Sequence, residues 1–231
     1  MLLLDDESFC SIYNSTFYRN TAFYGGFSLN CVKLSLLGVI GAAFQSSLNI
    51  SHSFFIENSA RSGGVIVGQE FSFVHLSHST MFNNSAESGG GAIAVAFASL
   101  SISNCVLESN TADGHGGLLV ASLSTIVIQT SILNNNRVNS ASGGALFVTD
   151  LSRVLVVSSS ISDCYSFNDG GAIYIREKSQ FLIAHSKVDR NQAFEYGGAV
   201  LVENSQIFYA LNTSFSHNQA DYYHGFEKVI K

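Results

Sequence analysis

Ser186-Lys187-Val188-Asp189-Arg190-Asn191-Gln192-Ala193-Phe194-Glu195-Tyr196-Gly197-Gly198-Ala199-Val200-Leu201-Val202 sets an apolar residue three before an Asn and a small residue two after it, then Gly-Gly and a β-branched run. The same arrangement recurs from one end of the chain to the other. Aligned on the Asn, the sites are Asn20, Asn58, Asn84, Asn110, Asn136, Cys164, Asn191 and Asn218, at intervals of 38, 26, 26, 26, 28, 27 and 27. A fixed period of this length signals a repeat architecture and decides the fold before any single residue is weighed.

Working outward from the Asn, three more columns hold. Three positions earlier sit Phe17, Phe55, Met81, Leu107, Leu133, Ile161, Val188 and Phe215. Two positions later the residues are small in nearly every unit, and five earlier a hydroxyl recurs, with Cys105 as its one substitute. Glycine pairs follow at Gly25-Gly26, Gly63-Gly64, Gly90-Gly91, Gly116-Gly117, Gly143-Gly144, Gly170-Gly171 and Gly197-Gly198, and His224-Gly225 takes their place in the last unit. Gly-Gly supplies backbone conformations that a Cβ resists, where the chain bends into the next strand.

After the second Gly, positions +2 and +4 carry the apolar series Ile66, Ile93, Leu119, Leu146, Ile173, Val200 and Gly68, Val95, Ala121, Val148, Ile175, Val202. Period-2 spacing marks a strand with one buried face. Pairs such as Leu100/Ile102 and Ile126/Ile128 mark a second strand, and the segment through Phe55 or Val188 a third. Units of this length leave no room for helices, so each must bury its apolar side on the next. The expectation is an all-β, right-handed parallel β-helix, pectin-lyase-like, of about eight coils with three short strands per coil. At about 4.8 Å per coil the rod is roughly 40 Å long. Stacked Asn side chains can hydrogen-bond along such a ladder.

One solenoid domain over residues 1–231 follows, read as a fragment of a longer surface protein. The first interval exceeds its neighbour by 12, and the excess is assigned to an inserted loop over residues 31–44, between Gly26 and Leu48.

The composition agrees. Hydrophobic residues make up 46% and charged residues 12%, so a large core is affordable only with an uncharged, Ser- and Asn-rich surface, as in surface proteins. The net charge of −6, with no Lys/Arg run, argues against nucleic-acid binding. Cys10, Cys31, Cys105 and Cys164 are too scattered for a disulfide scaffold or a CxxC metal site. The start lacks the basic and long apolar regions of a secretory signal, and Leu34–Phe44 is too short to span a bilayer, so any signal or anchor is expected outside this stretch.

Phe17-Tyr18-Arg19-Asn20, Phe55-Ile56-Glu57-Asn58 and Phe215-Ser216-His217-Asn218 match FxxN, whereas Gly90-Gly91-Ala92-Ile93, Gly143-Gly144-Ala145-Leu146, Gly170-Gly171-Ala172-Ile173 and Gly197-Gly198-Ala199-Val200 match GGA[ILV]. This alternation resembles the passenger repeats of chlamydial polymorphic outer-membrane proteins, although several units read LxxN, IxxC or VxxN. The resemblance implies a secreted or surface-displayed adhesin passenger, in the outer membrane if bacterial. Its partners would be a host or neighbouring-cell surface protein, a second copy, or glycans, with membrane contact only through other segments.

Several residues invite chemistry. Gly114-His115-Gly116 resembles the Gly-His-Gly of polygalacturonases, yet only Asp113 accompanies it in sequence where clustered carboxylates are needed. Glu87, Asp113, Asp169, Glu195 and Asp221 differ in offset and read as a solvated acidic edge rather than a Ca²⁺ site. His52 and His78 share a column that continues through Asn104, Thr130 and Ser158, which favours a polar surface over a metal. No catalytic residue, cofactor or metal is therefore assigned. The informative surface is taken to be the outer face of the Gly-Gly strand, where +1 and +3 alternate outward. It gives a candidate contact face of Val65, Val67, Leu118, Val120, Phe147, Tyr174 and Leu201. Adhesion or protein contact is the leading reading, a polysaccharide-binding or polysaccharide-cleaving β-helix the alternative, and a passive spacer a third.

Overall fold

The computed structural model describes residues 2–4, 6–22, 39–205 and 207–222. Among them every regular element is a strand, and the strands form four parallel sheets of eight. One coil shows the circuit. Ile93–Ala96 lies in sheet I, Ser99–Ser103 in sheet II, Val106–Glu108 in sheet III and Thr111–Ala112 in sheet IV. Leu119–Ser122 then returns to sheet I beside Ile93–Ala96. A coil therefore has four strands, not three. The missed one is two residues long, too short to display a period.

The core fills from three directions. Sheet I contributes Ile66, Ile93 and Leu119, sheet II Leu48, Leu100 and Ile126, and sheet III Phe55, Met81 and Leu107, all in one cluster and almost wholly shielded from water. Register is in step from coil to coil: Leu100 pairs with Val74 and Ile126, and Leu107 with Met81 and Leu133. Like therefore stacks on like, which is why the sequence columns are so regular.

Burying the corners requires their polar groups to be paired. At the corner between sheets III and IV, Asn84 donates from its backbone N–H and from Nδ2 to Oδ1 of Asn110, at 3.1 and 3.0 Å. Its second Nδ2 hydrogen goes to the carbonyl of Phe55 at 3.0 Å. Asn58, Asn110 and Asn191 repeat this geometry. Asn20 donates likewise to Asn58, and Asn218 Nδ2 reaches the Val188 carbonyl. Asn136 meets Cys164 instead of an Asn, and the ladder resumes where the Cys164 N–H donates to Asn191 Oδ1. A second ladder runs between sheets II and III, where the Ser53 N–H donates to Ser79 Oγ and the Cys105 N–H to Ser131 Oγ, each at 3.1 Å.

The two glycines of each pair serve different purposes. Gly90 has φ of 63°, a left-handed conformation that favours glycine. Gly91 is needed for space, because a Cβ there would collide with the carbonyl oxygens of Gly117 and Thr111. Gly25-Gly26 and His224-Gly225 lie outside the described residues.

The placement of the insertion is corrected. Ala22 pairs with Ala60 and Ile40 with Ile66, so 18 positions separate Ala22 from Ile40 where 6 separate their partners. The extra 12 therefore enter before Ile40. Ile40–Ala42, expected within the loop over 31–44, is a strand of sheet I between Leu2–Leu4 and Ile66–Gln69. Its Ile40 completes the core column. Residues 31–38 of that loop lie outside the described residues.

The three turns that join sheets I to II, II to III and III to IV hold non-glycine residues at positive φ, coil after coil. Asx-type and other polar side chains tolerate this conformation best. The turn from II to III carries His52, His78, Asn104, Thr130, Ser158 and His185, and the turn from III to IV carries Glu57, Asn83, Ser109, Asn135, Asp163 and Arg190. The turn from I to II is different, with Phe71, Phe97, Leu123 and Leu151 at positive φ on successive coils.

Candidate contact surfaces

The outer face of sheet I, expected as the exposed stripe, is covered. Position +1 points into the main core, not outward: Val65, Leu118, Ala92, Ala145, Ala172 and Ala199 all belong to it. The reason is the preceding Gly-Gly bend, which rotates the chain so that +1 and +2 both face inward before strand alternation begins. Position +3 does lie on the outer side, yet Val67, Phe147, Tyr174 and Leu201 are buried and Val120 half-buried. Phe147, Tyr174 and Leu201 form a small second core with Val120 packed on it.

His115 is part of that cover. Its ring stacks on Phe147 with centroids 4.1 Å apart, and Nδ1 accepts the Ser142 N–H at 3.3 Å. Burial pushes this imidazole below its usual pKa, which favours the neutral ring that stacks here. The guanidinium of Arg176 lies 5.8 Å from the Phe147 centroid. Tyr174 meets Phe147 edge-on and donates its hydroxyl to Glu203. Burial and that carboxylate push the phenol above its usual range. Where the +3 residues are smaller, at Val67, Ala94 and Val120, a narrow apolar cleft of about 120 Å³ remains.

The polar candidates do not converge. Asp113 is exposed and accepts from Asn139 Nδ2 at 2.9 Å, while His115 turns to Phe147 and Ser142. Burial, with Glu195 nearby, raises the Asp169 carboxyl, and its Oδ1 has no hydrogen-bond partner among the described residues. His52 and His78 stack ring on ring at 5.0 Å at the turn from sheet II to sheet III. Among the described residues no three His, Cys, Asp or Glu side chains are placed to share a metal. Cys10, Cys105 and Cys164 are free, and Cys31 lies outside the described residues. Burial raises the Cys105 thiol and pushes that of Cys164 up to about 12.

A densely paired charge cluster sits on the outer side of sheet III. Asp189, with 2% of its side chain exposed, accepts from Ser216 Oγ at 2.7 Å, His217 Nδ1 at 2.9 Å and Lys187 Nζ at 2.9 Å, and also meets Arg190. Those donors hold its carboxyl well below the usual carboxylate range. Arg190 in turn grips Asp163 through two nitrogens, at 2.7 and 2.8 Å.

The surface that sequence reasoning missed is the turn from sheet I to sheet II. Phe71, Phe97, Leu123 and Leu151 stand there on four successive coils, 67%, 49%, 38% and 56% exposed. The signal was available as an apolar residue four or five positions after Ile66, Ile93, Leu119 and Leu146, the +2 residues of four successive Gly pairs. It was hidden because the turn gains a residue in some coils, as in Glu70-Phe71 and Asp150-Leu151.

Two family models match. One, described as a right-handed beta helix region, covers residues 91–227, more than half of the chain. The other, described as a Chlamydia polymorphic membrane protein repeat, covers residues 78–96, the part of one coil from His78 through Gly90-Gly91-Ala92-Ile93. No curated protein and no solved structure matches.

Proposed function

Since the chain belongs to the right-handed β-helix family and carries a polymorphic membrane protein repeat, we propose that it is a non-enzymatic, surface-displayed rod acting in adhesion or protein contact. The observation that carries this reading is the translational repeat of outward-facing groups. Each position offered by one coil is offered again by the next, because register is kept from coil to coil. A rigid array of this kind gains avidity from many weak contacts, without one deep pocket. The repeat at residues 78–96 supports a location at the cell surface or outer membrane.

Beads coated with the full chain are expected to attach to host or neighbouring cells better than beads coated with an unrelated solenoid of similar length. Equal attachment sinks the adhesion reading. A reducing-end assay on pectins and alginate runs beside it, and activity abolished by His115→Ala would favour polysaccharide cleavage instead.

A further inference from the structure

The turn from sheet I to sheet II is exceptional in two independent ways. Its residues Phe71, Phe97, Leu123 and Leu151 have φ of 64°, 53°, 49° and 60°, which bulky side chains adopt at a cost. They are also large apolar groups facing water. The equivalent positive-φ columns at the other two turns hold only polar or charged residues through the same coils. A doubly disfavoured choice made on four consecutive coils is the pattern of a site kept for use, since strain of this kind collects where function requires it.

We infer that this ridge is a docking surface for an amphipathic helix of a partner protein, with apolar residues on one stripe and a basic residue towards each end. The inference rests on the protein-contact reading above and gives it a surface. Spacing selects the helix. The ridge advances about 4.8 Å per coil, close to the 5.4 Å of a helical turn and well short of the roughly 6.7 Å between same-face residues of a strand. A stripe at i, i+4, i+7 and i+11 therefore stays in step with all four side chains. Charge selects the basic ends. Glu70 immediately precedes Phe71 at one end of the ridge, and Asp150 precedes Leu151 at the other. Asp150 is held by Ser122 Oγ at 2.8 Å and supplies the charge at its end, because Glu177 of the next coil is already neutralised by Arg176. A groove of about 820 Å³ beside Leu123 and Leu151, also lined by Asp150, Glu177 and Lys178, gives side chains of the partner a place to enter.

The test uses the full chain and a designed, fluorescently labelled helix of about 18 residues carrying that stripe and Lys near each end. A peptide of identical composition with strand-like alternation is the control. Wild-type protein is expected to bind the helix more tightly than the control. The Phe97→Asn/Leu123→Asn double variant should weaken that binding about ten-fold or more. Its melting temperature should stay level or rise, because Asn accepts positive φ more readily than Phe or Leu. Asp150→Asn should flatten the salt dependence of binding.

Equal binding of both peptides, or binding untouched by the double variant, overturns the inference. So does a wild-type dimer in sedimentation that the double variant abolishes, which would make a second copy the occupant. The bead assay separates the two levels. Attachment that the double variant retains overturns the ridge and leaves the adhesion reading standing, whereas absent wild-type attachment with intact helix binding does the reverse.

Discussion

At the scale of single residues the corner amides matter most. Each buried Asn is donor and acceptor to two neighbours at once, so its loss is felt on both sides. Asn110→Ala leaves the Asn84 N–H and one Asn84 Nδ2 hydrogen without their acceptor and takes a donor from the Met81 carbonyl and from Asn136 Oδ1, and is expected to cost about 3 kcal/mol in urea unfolding. The converse holds at Cys164, where the column has a thiol. Cys164→Asn restores an amide opposite Asn136 and is expected to add about 1 kcal/mol. Asp189 gives a pH signature. Its folded carboxyl is depressed by Ser216, His217 and Lys187, so its contribution is present above the ordinary carboxyl range and is lost as pH falls through the depressed value. The urea midpoint of the wild type should therefore fall between pH 5 and pH 2 more steeply than that of Asp189→Asn. An equal slope in the two proteins would assign the acid sensitivity elsewhere.

At the scale of the element, the Gly-Gly strand shows what a sequence displays and what it conceals. Period-2 spacing at Ile93/Val95 and Leu119/Ala121 was legible because two consecutive inward positions repeat on every coil. The inward turn of Ala92 and Leu118 was not, because strand alternation is a property of extended backbone and fails across the bend that Gly90 permits. The two-residue strand Thr111–Ala112 was invisible for want of length, although Ala112 was already legible as a small column. A buried Ser series at Ser46, Ser72, Ser124, Ser152 and Ser179 went unread, though each stands two before the first core residue of sheet II. The candidate contact face failed for a further reason. Whether Phe147 is exposed depends on His115 and Arg176, which reach it only in three dimensions. Glycine substitutions test the element directly. Gly91→Ala should cost about 3 kcal/mol or more, since a Cβ meets backbone carbonyls of the next coil. Gly68→Ala meets only the side chains of Ser72, Val74 and Val95, at 3.3 Å, and should stay within about 1 kcal/mol of wild type. Thermal melts of the pair decide whether the two glycines differ as described.

At the scale of the molecule, stability is a sum over coils and their interfaces. Ser85 pairs with Thr111 and Met81 with Leu107, each 26 positions on, so removing Ser85–Asn110 excises one whole turn and joins Asn84 to Thr111 in register. That deletion is expected to fold cooperatively into a rod shorter by about 5 Å, seen in sedimentation and circular dichroism. A deletion of Ser85–Glu108 instead leaves Ser109 and Asn110 crowding a corner, and should lower the melting temperature or prevent folding. If both deletions fold equally well, the coil is not the unit of this structure.

The sulfurs set among the hydroxyls and amides have a kinetic consequence. A thiol raised to about 12 is almost entirely protonated at neutral pH, and the Cys164 sulfur is buried besides, so an alkylating reagent reaches it only when its corner opens. Cys105 waits in the same way at a different corner two coils earlier, whereas Cys10 is already partly accessible. The three labelling rates are therefore a clock with hands at separate positions along the rod. They time how often each stretch breathes.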